Sequence, residues 1–250
     1  MEIDLLIPCF IDQLYPDTGW KVLQLLEKAG CVVHYNPEQT CCGQALYNSG
    51  HRDQARELAI KFLNDFSGNR PVVCPSASCA GFIRNYYDGL LVGTIFLSAY
   101  RKIQPKVYEL TDFLVNVLHY TESGAHLNAK VTYHDACAAL REYGLKDEAR
   151  VLLKQVKGLE LIEMDESTTC CGFGGTFSVK HEPISVAMAA RKVENALATG
   201  AEYIISTEMS CLMHLETYIQ QKELTIKCLH IADVLTSGDR EIENLQNHTP

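Results

Sequence analysis

The chain has 250 residues, 47% of them hydrophobic and 21% charged, with a formal net charge of -9 and a pI near 5.5. That composition is expected of a globular protein of one or two domains with room for a sizeable core, and its acidity excludes the basic footprint that a nucleic-acid partner requires. The longest apolar run, 90-LLVGTIFL-97, falls far short of the roughly 20 residues that span a bilayer, and Met1–Asp4 opens onto LLIPCF without a signal-peptide pattern, so a cytoplasmic protein with no transmembrane segment is expected.

Strands are predicted at 3–8 (IDLLIP), 32–35 (VVHY) and 71–73 (PVV), short apolar or β-branched runs separated by segments of helical period. Helices are expected at about 17–30, with Asp17 or Thr18 as cap, at 51–66 and at 78–88. The polar stretch 120-YTESGAHLN-128 reads as a linker. Beyond it, strands near 130–135 (KVTYHD), 159–164 (LELIEM) and 202–206 (EYIIS) alternate with helices near 145–156, 184–199 and 211–221. The fold class is therefore α/β: two homologous, mostly parallel sheets with flanking helices, one repeat over 1–120 and a second over 128–250.

The cysteines carry the same duplication. Cys9, Cys41, Cys42 and Cys79 line up with Cys137, Cys170, Cys171 and Cys211 at offsets of 128, 129, 129 and 132. The flanking residues agree, 72-VVCPSASC-79 with 204-IISTEMSC-211 and 108-YELTDFL-114 with 229-LHIADVL-235. Cys31, Cys74 and Cys228 have Leu159, Ser206 and Val107 at the matching positions and read as ordinary buried thiols. Eleven cysteines in a cytosolic chain do not suggest a disulfide framework, because the compartment keeps thiols reduced; metal or redox chemistry is the better reading.

Each repeated cysteine is predicted just after the carboxyl end of a strand, the edge of an open α/β sheet where ligands bind. Three loops per repeat would bring four thiols together, a donor set that suits tetrahedral zinc or an iron–sulfur cluster. The adjacent pairs in 38-EQTCCGQAL-46 and 167-STTCCGFGG-175 favour the cluster. Structural zinc usually takes C-x2-C pairs, whereas a group with several irons accepts sulfurs from successive residues. Gly43 and Gly172 can adopt positive φ there and turn backbone N–H groups toward an anionic ligand.

The order Cys, 31 or 32 residues, CCG, 36 to 39 residues, Cys, occurring twice, resembles the cysteine-rich CCG domain. That family includes a component of heterodisulfide reductase, iron–sulfur subunits of glycerol-3-phosphate dehydrogenase and glycolate oxidase, and the lactate utilization proteins. The chain is most similar to the last group, since it consists of two CCG modules with no ferredoxin-type cysteine run, and HDAC at 134–137, CCGFGG at 170–175 and SCLMH at 210–214 share that likeness. The resemblance implies up to two iron–sulfur clusters per chain, of [4Fe-4S] type, with zinc or disulfides taking their place in protein purified in air. It also departs from the family pattern. Complete motifs end in C-x-x-C, where this chain has Phe82 and His214. His214 is a candidate nitrogen ligand or else a helix-surface histidine. His134 and Asp135, which stand where the first repeat has Leu6 and Ile7, are candidates for proton transfer or else a polar strand end.

Three functions fit. The resemblance implies an iron–sulfur subunit of a multi-subunit oxidoreductase acting on a 2-hydroxy acid, L-lactate to pyruvate first among them, with companion subunits that include a ferredoxin-type protein. The same residues would serve a heterodisulfide or thiol–disulfide reductase component. A non-catalytic zinc protein is the third reading, against which the CC pairs argue. No G-x-G-x-x-G follows a strand, so no flavin or nicotinamide fingerprint is legible.

Overall fold

A computed structural model of the chain describes residues 1–238. The last twelve positions of the expected second repeat lie outside the described residues. The first half begins with β1 (Glu2–Leu5), α1 (Cys9–Leu14), α2 (Pro16–Lys28) and β2 (Val32–Tyr35). It continues through α3 (Gln44–Asn48), α4 (Arg52–Asp65), β3 (Val72–Cys74), α5 (Ala77–Leu91), α6 (Leu97–Ile103), β4 (Val107–Glu109) and the helical turn α7 (Leu110–Asp112). The second half runs β5 (His126–Tyr133), α8 (Glu148–Leu153), β6 (Lys157–Leu161), α9 (Thr176–Lys180), α10 (Glu182–Ala198), β7 (Tyr203–Ser206), α11 (Met209–Gln221), β8 (Lys227–His230) and α12 (Ile231–Leu235). Turns of π-helix occupy Phe113–Val117 and Ala139–Tyr143.

The two sheets have the same topology, β2-β1-β3-β4 and β6-β5-β7-β8, and every pairing in them is parallel. The duplicated α/β fold is as expected from the sequence. Each sheet, however, has a fourth strand, β4 or β8, that the sequence reading missed. Strand order reverses between β1 and β3, and again between β5 and β7, which creates a crevice at their carboxyl ends. Two local expectations are corrected. Tyr15 occupies the N-cap of α2 with Pro16 at its first position, where the fixed φ of proline suits a helix start; Asp17 and Thr18 lie inside the helix. The predicted linker also ends early, because β5 begins at His126 and is continuous to Tyr133.

Apolar burial joins the halves. One core includes Ile3, Leu25 and Phe113 from the first half with Val131, Leu153 and Ile231 from the second. A second core, around Phe62, Phe82, Tyr87 and Tyr100, is built from buried residues of the first half, with Tyr143 of the second packed against it. Polar contacts across the seam are reciprocal. Asp233, at the start of α12, accepts from Thr18 Oγ1 of α2 at 3.2 Å and pairs with Lys21 Nζ at 3.2 Å. Asp112, at the corresponding place in the first half, accepts from Tyr143 Oη at 2.6 Å.

Candidate metal centres

Short loops leave β1, β2 and β3 on one side of the first sheet and deliver Cys9, Cys41 with Cys42, and Cys79. Cys9 and Cys41 have their sulfurs 3.8 Å apart. The second sheet repeats this with Cys137 and Cys170, whose sulfurs are 3.9 Å apart, and with Cys171 and Cys211. All eleven cysteines are free thiols. At each CC turn the glycine has a left-handed backbone, φ +89° at Gly43 and +97° at Gly172, and its N–H donates to the first sulfur of the pair at 3.4 Å. The turns are fixed from behind: Tyr87 Oη donates to the Cys42 carbonyl at 2.7 Å, and Ser185 Oγ to the Gly172 carbonyl at 2.8 Å.

At Cys41 with Cys9, and at Cys170 with Cys137, thiol contacts divide the protons alike. Hydrogen bonds from Cys42 and Cys9 hold the Cys41 thiol down to about 2, and those from Cys137 and Cys171 hold Cys170 down to about 2. Their partners Cys9 and Cys137 are correspondingly raised, first by that hydrogen bond and then by burial. A thiolate is the form that binds metal, so the first cysteine of each pair is poised as a ligand.

The cysteine-rich domain family, CCG, matches residues 3–84 and again 131–216. Lactate utilization protein A of Halalkalibacterium halodurans is 41% identical over 243 residues, which are 97% of this chain and 100% of that protein. The protein of the same name from Bacillus subtilis is 39% identical over 237 residues, 95% and 100% of the two chains. The chain belongs to the lactate utilization protein A family of CCG proteins. Among solved structures, a hypothetical protein from Helicobacter pylori superposes with a TM-score of 0.60 at 10% identity, covering 98% of this chain and 51% of that one, a likeness of fold alone.

The two CCG repeats differ around their thiols. Phe82, at the position of the absent C-x-x-C cysteine, is buried and lies 5.4 Å from the rings of Tyr47 and Tyr86, so aromatic packing fills that place. Its counterpart His214 is half-buried and bonded through Nε2 to Ser185 Oγ at 3.1 Å. His134 is the histidine that reaches the thiols. A ring nitrogen and the sulfurs of Cys171 and Cys211 all lie within 4.8 Å of one another. Burial, and then the Lys192 ammonium, push His134 down to about 4, so the ring is neutral. Asp135 is engaged elsewhere: both its oxygens accept from Arg150, at 2.8 and 2.7 Å. Burial pushes that carboxyl up, but the guanidinium outweighs it and holds Asp135 below the usual range.

Three further residues were not legible as site residues. Lys192, buried on α10, donates to the carbonyls of Glu166 and Ser167 and lies close enough to Cys171 and Cys170 to feel their charge. Gly43 faces Ala55 and Leu58 as Gly172 faces Ser185 and Met188; the same offset puts Phe62 where the second repeat has Lys192. Cys74, read as an ordinary thiol, is fully buried but hydrogen-bonds to Cys79, helping to hold that thiol well below its usual value. Glu208 lies between the repeats, bonded to Ser76, Ser78 and Ser210. Cys31 is buried with no thiol beside it in its electrostatics, and Cys228 lines a cleft of about 460 Å³ between α11 and β8.

Proposed function

We propose that the chain is the iron–sulfur subunit of a multi-subunit oxidoreductase of lactate utilization, holding a [4Fe-4S] cluster in each CCG repeat. The observation that carries this reading is the pair of four-thiol sets at the carboxyl edges of two parallel sheets, each with a left-handed glycine N–H directed at a sulfur. The donors suit the group chemically. Tetrahedral zinc with sulfur at about 2.3 Å would draw its four sulfurs to about 3.8 Å from one another. The Cys9–Cys41 and Cys137–Cys170 separations of 3.8 and 3.9 Å already match that edge, so it is the adjacent CC pairs, which a lone zinc does not need, that favour a multi-iron group. Membership of the lactate utilization protein A family supports the pathway.

Cys9, Cys41, Cys42 and Cys79 would hold the first cluster, and Cys137, Cys170, Cys171 and Cys211 the second. A bound cluster supplies one-electron transfer. Gly43 and Gly172 donate N–H groups to the ligating sulfurs and so favour the more negative, reduced state. Phe10 and Phe173, next to Cys9 and Gly172 in sequence, meet edge-on at 5.6 Å between the two repeats. Oxidation of L-lactate to pyruvate releases two electrons and two protons, whereas a cluster passes one electron at a time. The substrate is therefore assigned to the complex, with electrons passing on to companion subunits, a ferredoxin-type protein among them.

The test is anaerobic reconstitution with iron and sulfide, followed by iron and sulfide analysis, visible absorbance and EPR. Lactate oxidation with an artificial acceptor is then compared for the chain alone and with companion subunits. Brown protein with about eight irons per chain, inactive alone and active in the complex, is expected for two four-iron clusters. A colourless protein that retains its fold and binds only zinc would sink the proposal.

A further inference from the structure

The two repeats present the same four thiols to unequal surroundings, and His134 is the difference that reaches the sulfurs directly. His134 is fully buried, and neither ring nitrogen makes a hydrogen bond of good geometry, the Ser167 backbone being its one weak polar contact. A buried polar group without a well-made hydrogen bond costs about 1–3 kcal/mol, so an imidazole held this loosely in a packed interior is not neutral filling. Nor does the fold need a polar residue there. Leu6 holds the matching position of the first repeat, buried at the end of the matching strand. A nitrogen of this ring shares with the sulfurs of Cys171 and Cys211 a space in which all three atoms lie within 4.8 Å of one another. His214, at the motif position where a fifth donor would be sought, is satisfied by Ser185.

We infer that His134, and not His214, is a nitrogen donor of the second metal centre, which makes that centre a mixed nitrogen–sulfur site while the first is bounded by thiols. The inference deepens the iron–sulfur reading and rests on it for the identity of the metal group, although the donor set stands on its own geometry. On the iron that Cys171 or Cys211 would otherwise hold, a neutral imidazole in place of a thiolate raises the potential of a cluster. The two centres then differ in potential, the second being the better electron acceptor.

The experiment compares wild-type chain, His134→Leu and His214→Leu, each reconstituted anaerobically with iron and sulfide, by metal content, circular dichroism, pulsed EPR of the reduced cluster and potentiometric titration. Leucine is the residue the first repeat carries at this place. Wild type labelled with 15N-histidine provides a reading that needs no substitution. Expected are a directly bonded histidine nitrogen in wild type and in His214→Leu, its loss in His134→Leu, and a downward shift of the higher of two midpoint potentials in that variant alone. A wild-type cluster without a 15N-sensitive coupling, or one whose coupling survives in His134→Leu, overturns the inference and leaves the iron–sulfur reading intact. Should wild type take up no cluster, that reading falls, and titration of the reduced apo-protein with cobalt(II) decides the donor question. Affinity at one site at least tenfold weaker in His134→Leu supports His134 as donor, and equal affinity overturns it.

Discussion

Ser76 and Glu208 occupy the same position in the two repeats and are hydrogen-bonded to each other, Ser76 Oγ donating to Glu208 Oε2 at 3.0 Å. The carboxylate also accepts from Ser78 N at 2.9 Å and from Ser210 Oγ at 2.9 Å, so it ties together the loops that end in Cys79 and Cys211. Glu208 is buried, and burial followed by the nearby Cys79 raises its pKa. Glu208→Ala strands these donors in the interior, with an expected loss of about 2–4 kcal/mol in urea unfolding. Iron uptake should fall at both centres, and Glu208→Gln should recover part of each loss. Loss of iron from only one centre would contradict a shared anchor.

The CC turns give unequal sensitivity to a single methyl group. At Gly172 a Cβ would sit 2.6 Å from the Ser185 carbonyl oxygen, whereas at Gly43 the nearest atom, on Leu58, is 3.4 Å away. Both positions carry the left-handed penalty of roughly 1–2 kcal/mol for an alanine. Gly172→Ala should therefore destabilise by several kcal/mol more than a turn penalty alone and abolish metal uptake at the second centre, while Gly43→Ala keeps measurable uptake at the first. Differential scanning calorimetry with metal analysis of the two variants checks the ranking.

Lys192 places a cation in the interior beside the second centre. Lys192→Met removes that charge and one hydrogen bond from each of the Glu166 and Ser167 carbonyls, which keep those from Thr169 and Asp135, so the stability cost should stay near about 1 kcal/mol. Adding an electron to a centre that has lost a neighbouring positive charge becomes harder. One of two midpoint potentials should drop on potentiometric titration, and the other should hold. A shift of both, or of neither, would separate Lys192 from the second centre.

Asp135 is expected to matter for stability more than for metal. Its bidentate pair with Arg150 is partly buried, and Arg150 also reaches Glu163 at 2.6 Å and lies over the Tyr133 ring. Asp135→Asn should cost about 2 kcal/mol or more, the usual result of removing one partner from a shielded pair. Metal content per folded chain should match wild type. A selective loss of metal would instead place Asp135 in the centre.

Glu109 confers a pH dependence on the fold. Burial pushes its carboxyl up to about 8, against hydrogen bonds from Thr111 and Asp112. An unfolded glutamate titrates near about 4.3. Between those values the native state keeps a proton that the unfolded chain has released, so stability falls as pH rises, by at most about 1.4 kcal/mol per pH unit, and levels off above about 8. Glu109→Gln should flatten this trend in urea midpoints measured at pH 5.5 and 7.5. Parallel pH trends in the two proteins would remove Glu109 as the cause.

The thiols and central strands were legible because their signals are local and repeated: β1, β2 and β3 are apolar runs bounded by turn residues, and the duplication itself separates Cys9 or Cys170 from Cys31 or Cys228. The edge strands were not. β4 and β8 are three and four residues long and pass directly into helical turns, so neither period develops. Lys192 and Glu208 escaped for another reason. Each lies on or beside an ordinary helix, and only the packing of α10 behind the CC turn, or of one repeat on the other, makes its burial and partners apparent. His134 was singled out by contrast with Leu6, but its approach to Cys171 and Cys211 depends on three strands meeting at one edge.

The meeting of Ser76 with Glu208 also bears on descent. Reciprocal contacts across a seam are those of a two-fold dimer, in which a residue on the axis faces its own copy. A half-length ancestor with glutamate at this position would have buried two carboxyls against each other, and one with serine would have lacked the anchor. Joining two copies in a single polypeptide lifted the requirement that both sides be the same. Once the axis positions could diverge, so could Leu6 and His134, or Phe62 and Lys192, and a pair of identical centres was free to become a donor and an acceptor.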